Sequence, residues 1–331
     1  MGDMKSTTVV IPNWNGMEYL ETCLNSLREQ DTEDFEILVV DNASEDGSAE
    51  FIRTHYPEVR LIVNETNLGF SGGVNTGIEA SRTPFVLLLN NDVECDRHFV
   101  AALTEAIRKQ PKAFSVNPKM VNFRERTLLD DCGDLYTVLG WQAQRGVAQR
   151  ADDPRYNRPA KVFSCCAGAS IYRREVFDRI GLFDLMHFAY LEDIDVGYRA
   201  LLYGYCNLYE PSAVVYHVGS GSSGAVKYSD FKVRISARNT IYVAYKNMPA
   251  FQRALNALPM WVGRKLKQRF FRSLGFEKAF CEGVREGMQT RKNTKKVPFR
   301  WDRFLRYCRI EGMLIGNTFT YLSEYRRRHQ Q

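Results

Sequence analysis

The sequence predicts an α/β fold built on a doubly wound, mostly parallel sheet. Three observations carry that expectation. Strand-like apolar runs alternate with helix-period segments through the first half of the chain. Two of those runs, 35–41 and 84–89, finish in or just before a carboxylate, and a glycine-rich stretch follows the third. Strands ending in polar groups deliver them to the carboxyl edge of a sheet, where open α/β folds bind ligands.

Thr7-Thr8-Val9-Val10-Ile11-Pro12 reads as a buried strand. Residues 16–29 follow as a helix with Leu20, Leu24 and Leu27 on one side. Phe35 to Asp41 is the second strand, with Ser44 or Ser48 as the cap of a short helix reaching Tyr56. Arg60 to Val63 is the third strand. Asn67 to Gly77 then reads as a glycine-rich loop running into a helix, whose glycines permit close backbone approach. It matches neither G-x-G-x-x-G nor a P-loop. Pro84 to Leu89 is the fourth strand. After Asn117-Pro118 the pattern becomes short and turn-rich to about residue 160. Val162 to Tyr172 reads as a strand, Arg173 to Ile180 as a short helix, and Cys206 to Val218 as a further strand.

A chain of 331 residues buries a full core. Its 44% hydrophobic and 25% charged content describe a folded chain rather than a disordered one. No apolar run approaches the roughly 18 residues of a membrane span, and the start lacks a secretory stretch, which predicts a cytoplasmic location. Eight scattered cysteines without a C-x-x-C pair predict reduced thiols rather than disulfides or zinc. The net charge of +6 hides an asymmetry. Residues 251–331 hold 19 Lys and Arg against 6 Asp and Glu, or +13, while residues 1–250 hold 26 against 33, or −7.

The polar candidates stand at element ends. Asn90-Asn91-Asp92-Val93 directly follows the fourth strand and is placed to grip a divalent cation with a diphosphate. Glu192, Asp193 and Asp195 gather at the start of a helix, where they serve as dipole-favoured caps or as acid–base groups. His217 ends the last strand and with Asp92 forms a candidate metal pair. Gly168, between Ala167 and Ala169, leaves room for an acceptor or for close packing. Arg234, Arg238 and Asn239 open a later helix, whose arginines face either a diphosphate or solvent.

These residues resemble the inverting nucleotide-sugar glycosyltransferases of family 2, which have the GT-A fold, and most of all their bacterial rhamnosyltransferase-like branch. The likeness covers about residues 7–245 and rests on five motifs in order: residues 10–16, 39–47, 67–70 with Asn75, 89–92, and Glu192-Asp193 with His217. The resemblance implies that Pro12, Asn13 and Asn15 border the nucleotide. It implies that Asp41 accepts the N3–H of uracil or thymine, and that Gly72 and Asn75 lie toward the ribose or sugar. Asn90, Asn91 and Asp92 match the family's D-x-D motif, with Asn90 where many relatives carry aspartate, and His217 completes a Mg²⁺ or Mn²⁺ site. Asp193 would be the general base, with Glu192 or Asp195 orienting the acceptor. The implied partners are a dTDP- or UDP-sugar and a saccharide acceptor, lipid-linked in surface polysaccharide synthesis. A non-catalytic nucleotide-sugar-binding scaffold is the alternative.

This divides the chain into a catalytic domain at 1–250, with a nucleotide half to about 120 and an acceptor half after it, and a helical extension at 251–331. In the extension Leu258, Val262, Leu266, Phe270 and Leu274 recur every four residues among Arg264, Lys265, Lys267 and Arg269. Such a basic amphipathic helix suits an anionic membrane surface on the inner face of the cell or a helical interface. No nucleic-acid motif accompanies the charge.

Overall fold

The computed structural model describes residues 5–219 and 228–328; Met1–Met4, at the chain start, lie outside them. The order is β1 (Thr7–Asn13), α1 (Met17–Arg28), β2 (Phe35–Asp41), α2 (Ser48–His55), β3 (Arg60–Val63), α3 (Gly69–Ala80), β4 (Phe85–Leu89), β5 (Val93–Cys95) and α4 (Phe99–Lys109). Then come β6 (Ala113–Asn122), β7 (Leu129–Asp131), β8 (Asp134–Tyr136), β9 (Gln142–Gln144), β10 (Ala160–Val162), β11 (Ala169–Arg173), α5 (Arg174–Ile180), α6 (Glu192–Tyr203) and β12 (Cys206–His217). The chain closes with α7 (Asp230–Asn247), α8 (Ala250–Leu255), α9 (Ala257–Ser273), α10 (Glu277–Thr290) and α11 (Phe304–Arg328).

The main sheet runs β10-β12-β6-β11-β4-β1-β2-β3, with β5 on β12 and β7 on β6. Pairs β4-β1, β1-β2, β2-β3 and β6-β12 are parallel, whereas β11 runs antiparallel to both neighbours. Alternation along β1 explains the layering, because successive side chains point to opposite faces. Val9 and Ile11 pack with Leu20 and Leu24 of α1, Ile52 of α2 and Leu103 of α4. Val10 faces Val74 and Ile78 of α3, Phe177 of α5 and Val196 of α6. A third core joins Leu191, Ile194 and Tyr198 to Tyr307, Ile310 and Leu314 of α11. The end of the helical extension therefore braces α6.

Four local expectations change. The glycine-rich stretch is helix from Gly69 onward rather than a loop. Its glycines serve helix-on-sheet packing, since a Cβ at Gly77 would lie 2.1 Å from Val10 Cγ1 and one at Gly73 2.7 Å from Asn42 Nδ2. Residues 162–172 are two strands, β10 and β11, separated by an irregular stretch. Pro118 sits inside β6, where a register shift between Glu210 and Val214 of β12 accommodates it. The cap of α2 is Gly47, with φ +85°, rather than a serine.

Candidate active site

Strands β1 and β2 end level, with Asn13 opposite Asp41. Asn13 donates through Nδ2 to Asp41 Oδ2 at 2.8 Å and accepts at Oδ1 from Asn91 Nδ2 at 2.7 Å. The backbone N–H of Ser44 donates to Asp41 Oδ1 at 2.9 Å. Pro12 is half-buried at the end of β1. Asn15 has a left-handed backbone, and its Oδ1 accepts the N–H of Glu45 at 2.8 Å, fixing the loop after β2. The Asn90 N–H donates to the carbonyl of Gly168 at 2.7 Å. A Cβ at Gly168 would come within 3.1 Å of Asn90 Nδ2, so glycine there lets that amide pass.

Two residues later stands Asp92, which is 1% exposed. Strand β12 pairs with β5 in a register that sets His217 opposite Val93. His217 Nε2 thus lies 3.4 Å from Asp92 Oδ1, and Nδ1 lies 2.7 Å from Asp130 Oδ2. Burial opposes charge on this imidazole, but the bonds to Asp130 and Asp92 outweigh it and lift its pKa to about 10.

The Asp92–His217 separation is that of an ion pair and is also short enough for both groups to reach one divalent cation. His217 Nε2 faces Asp92 as an ion pair and Nδ1 is oriented by the Asp130 carboxylate, as in metal-binding histidines, and a cation bound here would have to displace the Nε2 proton. No group of three His, Cys, Asp or Glu side chains among the described residues could hold an ion alone. A cation there would need oxygens from the Asn90 amide, water or a diphosphate.

Beyond Asp130 the carboxylates crowd together. Asp131 accepts from Asn117 Nδ2 at 3.0 Å and Gly133 N–H at 2.6 Å. Asp134 accepts from Gln142 Nε2 at 2.6 Å and Ser164 Oγ at 3.3 Å. Burial raises the Asp131 pKa, and the nearby charges of Asp130 and Asp193 add to it. Burial and the Asp193 charge hold Asp134 well above the usual carboxylate range. Asp193, 8% exposed, is itself raised by burial to about 6, and hydrogen bonds from Ile194 N–H and Asp134 limit the rise. Burial thus pushes both carboxyls of the pair upward, Asp134 the more strongly. Glu192 is also raised by burial and by Asp193, and its Oε2 has no hydrogen-bond partner among the described residues.

The segment feeding α6 is strained. Phe188, Tyr190 and Leu191 all have positive φ, at 64°, 69° and 64°, a conformation costing about 1–2 kcal/mol for each non-glycine residue. Asn239 of α7 holds it, donating from Nδ2 to the carbonyls of His187, Ala189 and Tyr190 at 2.9, 2.8 and 2.7 Å. Arg238 adds bonds to the carbonyls of Met186 and His187. The chain therefore enters α6 at a fixed angle, and Asp193 with it.

Four of the expected site residues have structural partners of their own. Arg238 is engaged by Glu286 and by two backbone carbonyls, so it clamps the loop that leads into α6. Asp195 is fully buried, ion-paired with Arg199 at 2.8 Å and Lys246 at 2.9 Å and bonded to Asn247, so it anchors α6 rather than an acceptor. Asn75 spends its amide on both backbone groups of Phe183. Gly72 is packed under Leu68, whose Cβ would be 2.3 Å from an added Cβ. Sequence reasoning missed Asp130, Asp131 and Asp134, and named Asn239 only as part of a helix start, without its grip on the loop before α6. Three acids within Asp130-Asp131-Cys132-Gly133-Asp134 were a visible signal, hidden in a stretch read only as turns.

Asp41, Asn13, Asn91 and Asp92, then His217, Asp130, Asp131 and Asp193, form a continuous string along one sheet edge, passing from nucleotide-type contacts to a candidate base. Residues 8–181, over half of the chain, match the family model for glycosyl transferase family 2. The chain belongs to that family. The N-acetylglucosaminyl-diphospho-decaprenol L-rhamnosyltransferase of Mycobacterium tuberculosis is 27% identical to this glycosyltransferase over 237 residues, covering 65% of this chain and 77% of the relative. Glycosyltransferase AglE of Haloferax volcanii is 34% identical over 96 residues, 28% of this chain and 31% of the relative. The GT-A fold is shared with two solved structures. The mannosyltransferase PcManGT of Pyrobaculum calidifontis, in complex with GDP-Man and Mn²⁺, superposes with a TM-score of 0.53 at 15% identity over 96% of this chain and 87% of its own. GalNAc-T7, with UDP, GalNAc and Mn²⁺, gives 0.58 at 17% identity over 74% of this chain and 48% of its own.

Proposed function

We propose that this glycosyltransferase is an inverting, divalent-cation-dependent enzyme of surface-polysaccharide synthesis. It transfers a sugar such as L-rhamnose from a dTDP- or UDP-sugar to a lipid-linked saccharide on the inner face of the membrane. The observation that carries this reading is the juxtaposition of a cation-type pair, Asp92 and His217, with a buried, proton-poised pair, Asp134 and Asp193. The relative's L-rhamnosyltransferase name and its diphospho-decaprenol acceptor support the sugar and acceptor class.

In this reading Asp41 accepts the N3–H of the pyrimidine, while Pro12, Asn13 and Asn15 shape the nucleotide edge. Asp92 and His217 would hold the cation, and the Asn90 amide oxygen would add a neutral ligand. When bound, the cation supplies Lewis-acid neutralisation of charge on the departing diphosphate. Asp193 takes the proton of the acceptor hydroxyl as its oxygen bonds to the anomeric carbon from the face opposite the diphosphate. The bond to the diphosphate oxygen breaks with its electron pair, and one displacement inverts the centre. Asp134 donates a hydrogen bond to Asp193 and keeps a second negative charge away from it. Glu192 lies beside the base on the acceptor side.

The test is nucleoside diphosphate release from a panel of dTDP-, UDP- and GDP-sugars with Mn²⁺ or Mg²⁺ and a lipid-linked saccharide acceptor, with the product's anomeric configuration read by NMR. Release from a dTDP- or UDP-sugar that is lost with chelator, giving inverted product, is the expected result. Retained configuration or undiminished turnover in chelator would overturn the reading.

A further inference from the structure

The helical extension turns its apolar side outward. Among the described residues 22 large apolar side chains stand exposed, and 17 of them fall within residues 251–325, so the concentration belongs to the extension rather than to the molecule at large. On α9 the outward face carries Leu258, Val262, Leu266 and Phe270 interleaved with Lys265 and Arg269, whereas Met260 and Gly263 face inward. The four-residue repeat that would ordinarily seek the core is the solvent face. Beside its approach lies an aromatic cluster. Phe251 touches Phe299 and Phe304 at ring separations of 6.1 and 5.9 Å, and Trp301 touches Phe299 and Phe304 at 5.1 and 6.0 Å. Trp301 is 78% and Leu305 82% exposed. Leading into it, residues 291–300 expose Lys292, Lys295, Lys296 and Arg300 and contain no acid.

Apolar patches of this extent mark interaction surfaces. Two occupants fit an apolar face, a second copy of the chain and a lipid surface, and charge separates them. A symmetric pairing of extensions would set +13 against +13, whereas an anionic bilayer neutralises the lysines and arginines while its acyl boundary takes the rings. No helix among the described residues is long and apolar enough to cross a membrane, so the contact is interfacial.

We propose that the aromatic cluster around Trp301, the basic stretch 292–300 and the outward face of α8 and α9 form one docking surface for an anionic lipid bilayer. Its place in the fold ties it to catalysis. Phe251 packs on Tyr307 at 6.0 Å, and Tyr307 shares a core with Leu191 and Ile194, which flank Glu192 and Asp193. Docking would thus bear on the core that carries α6, the element proposed to meet a lipid-linked acceptor. This purpose rests on the lipid-linked acceptor proposed above, but the binding does not, and its assay needs no substrate.

The full chain is sedimented with vesicles of phosphatidylcholine alone and of phosphatidylcholine with phosphatidylglycerol, at low and high salt. Strong, salt-sensitive binding to the anionic vesicles is expected. A Lys292→Glu/Lys295→Glu variant should weaken it at least about 25-fold, because each basic side chain near an anionic surface contributes about fivefold. A Trp301→Ala/Leu305→Ala variant should weaken it at least about tenfold through lost apolar burial. Both pairs are exposed, so the fold tolerates their replacement. Equal binding to both vesicle types, or variants that bind like the parent, would overturn the proposal. So would concentration-dependent self-association without vesicle binding, which would assign the face to a second copy.

Discussion

Asp41 and Asp193 are both nearly buried carboxylates at the ends of secondary-structure elements, yet their surroundings are built in opposite ways. Asp41 is met by neutral donors, the Asn13 amide and the Ser44 N–H, on strands that finish level. Asp193 is met by other carboxyl groups, Asp131, Asp134 and Glu192, and by a backbone with three left-handed non-glycine residues. The first arrangement holds a binding group ready at little cost. The second stores electrostatic and conformational strain at the group proposed to take a proton, a pattern common at reactive centres. A cleft of this kind separates donor recognition from chemistry, and substitutions on its two sides should fail in different ways.

Asp92→Ala lies at the junction and should damage both functions. Loss of charge neutralisation worth several kcal/mol corresponds to a fall in turnover of at least about 10³-fold, together with loss of cation-dependent nucleotide affinity in calorimetry. Retention of either would show that the two sides do not meet there. Asn239→Ala acts on the acceptor side alone, since it frees three carbonyls of the strained loop and lets Asp193 drift. A misplacement of about 1 Å can cost about 10²-fold, so kcat should drop by that order while donor KM stays put. Arg238→Ala should give a milder version. If KM rose in step with the loss of kcat, the clamp would be merely structural. Asp41→Ala acts on the donor side alone. Removing a charged hydrogen-bond acceptor costs about 1.5–3 kcal/mol, or roughly 10–100-fold in affinity for UDP or dTDP, with kcat at saturating donor little changed. An unaltered nucleotide affinity would remove Asp41 from the base pocket.

The same contrast explains what was legible in the sequence. Strand-end signals at Asn13, Asp41 and Asp92 could be read because an apolar run followed by a polar residue is a local pattern, and parallel strands bring their ends together without further information. The acceptor side is assembled from β7, β8, α6 and α7, so its contacts join residues far apart in sequence. Arg238 looked like a free cation because nothing local reveals that its partners are carbonyls some 50 positions earlier. Asp195 shares its helix start with Asp193, but on a helix they point different ways, one toward Arg199 and Lys246 and the other toward Asp134. The glycines of α3 were read as a loop because sequence does not show Val10 and Asn42 pressing on them. The outward apolar face of α9 could be found by period alone, but its direction could not.

The central claim is that Asp193 accepts the acceptor's proton while the donor site stands independently of it. It is tested most directly by transfer rates across pH for the parent and Asp193→Asn, with nucleotide affinity measured on the same preparations. Because the base works ionised, parental kcat/KM should fall as pH drops through about 6. Asp193→Asn should lose about 10²–10⁴-fold in turnover and the acid limb with it, at unchanged nucleotide affinity. Near-parental turnover in Asp193→Asn, or an acid limb that persists in it, would contradict the account and pass the role to Glu192.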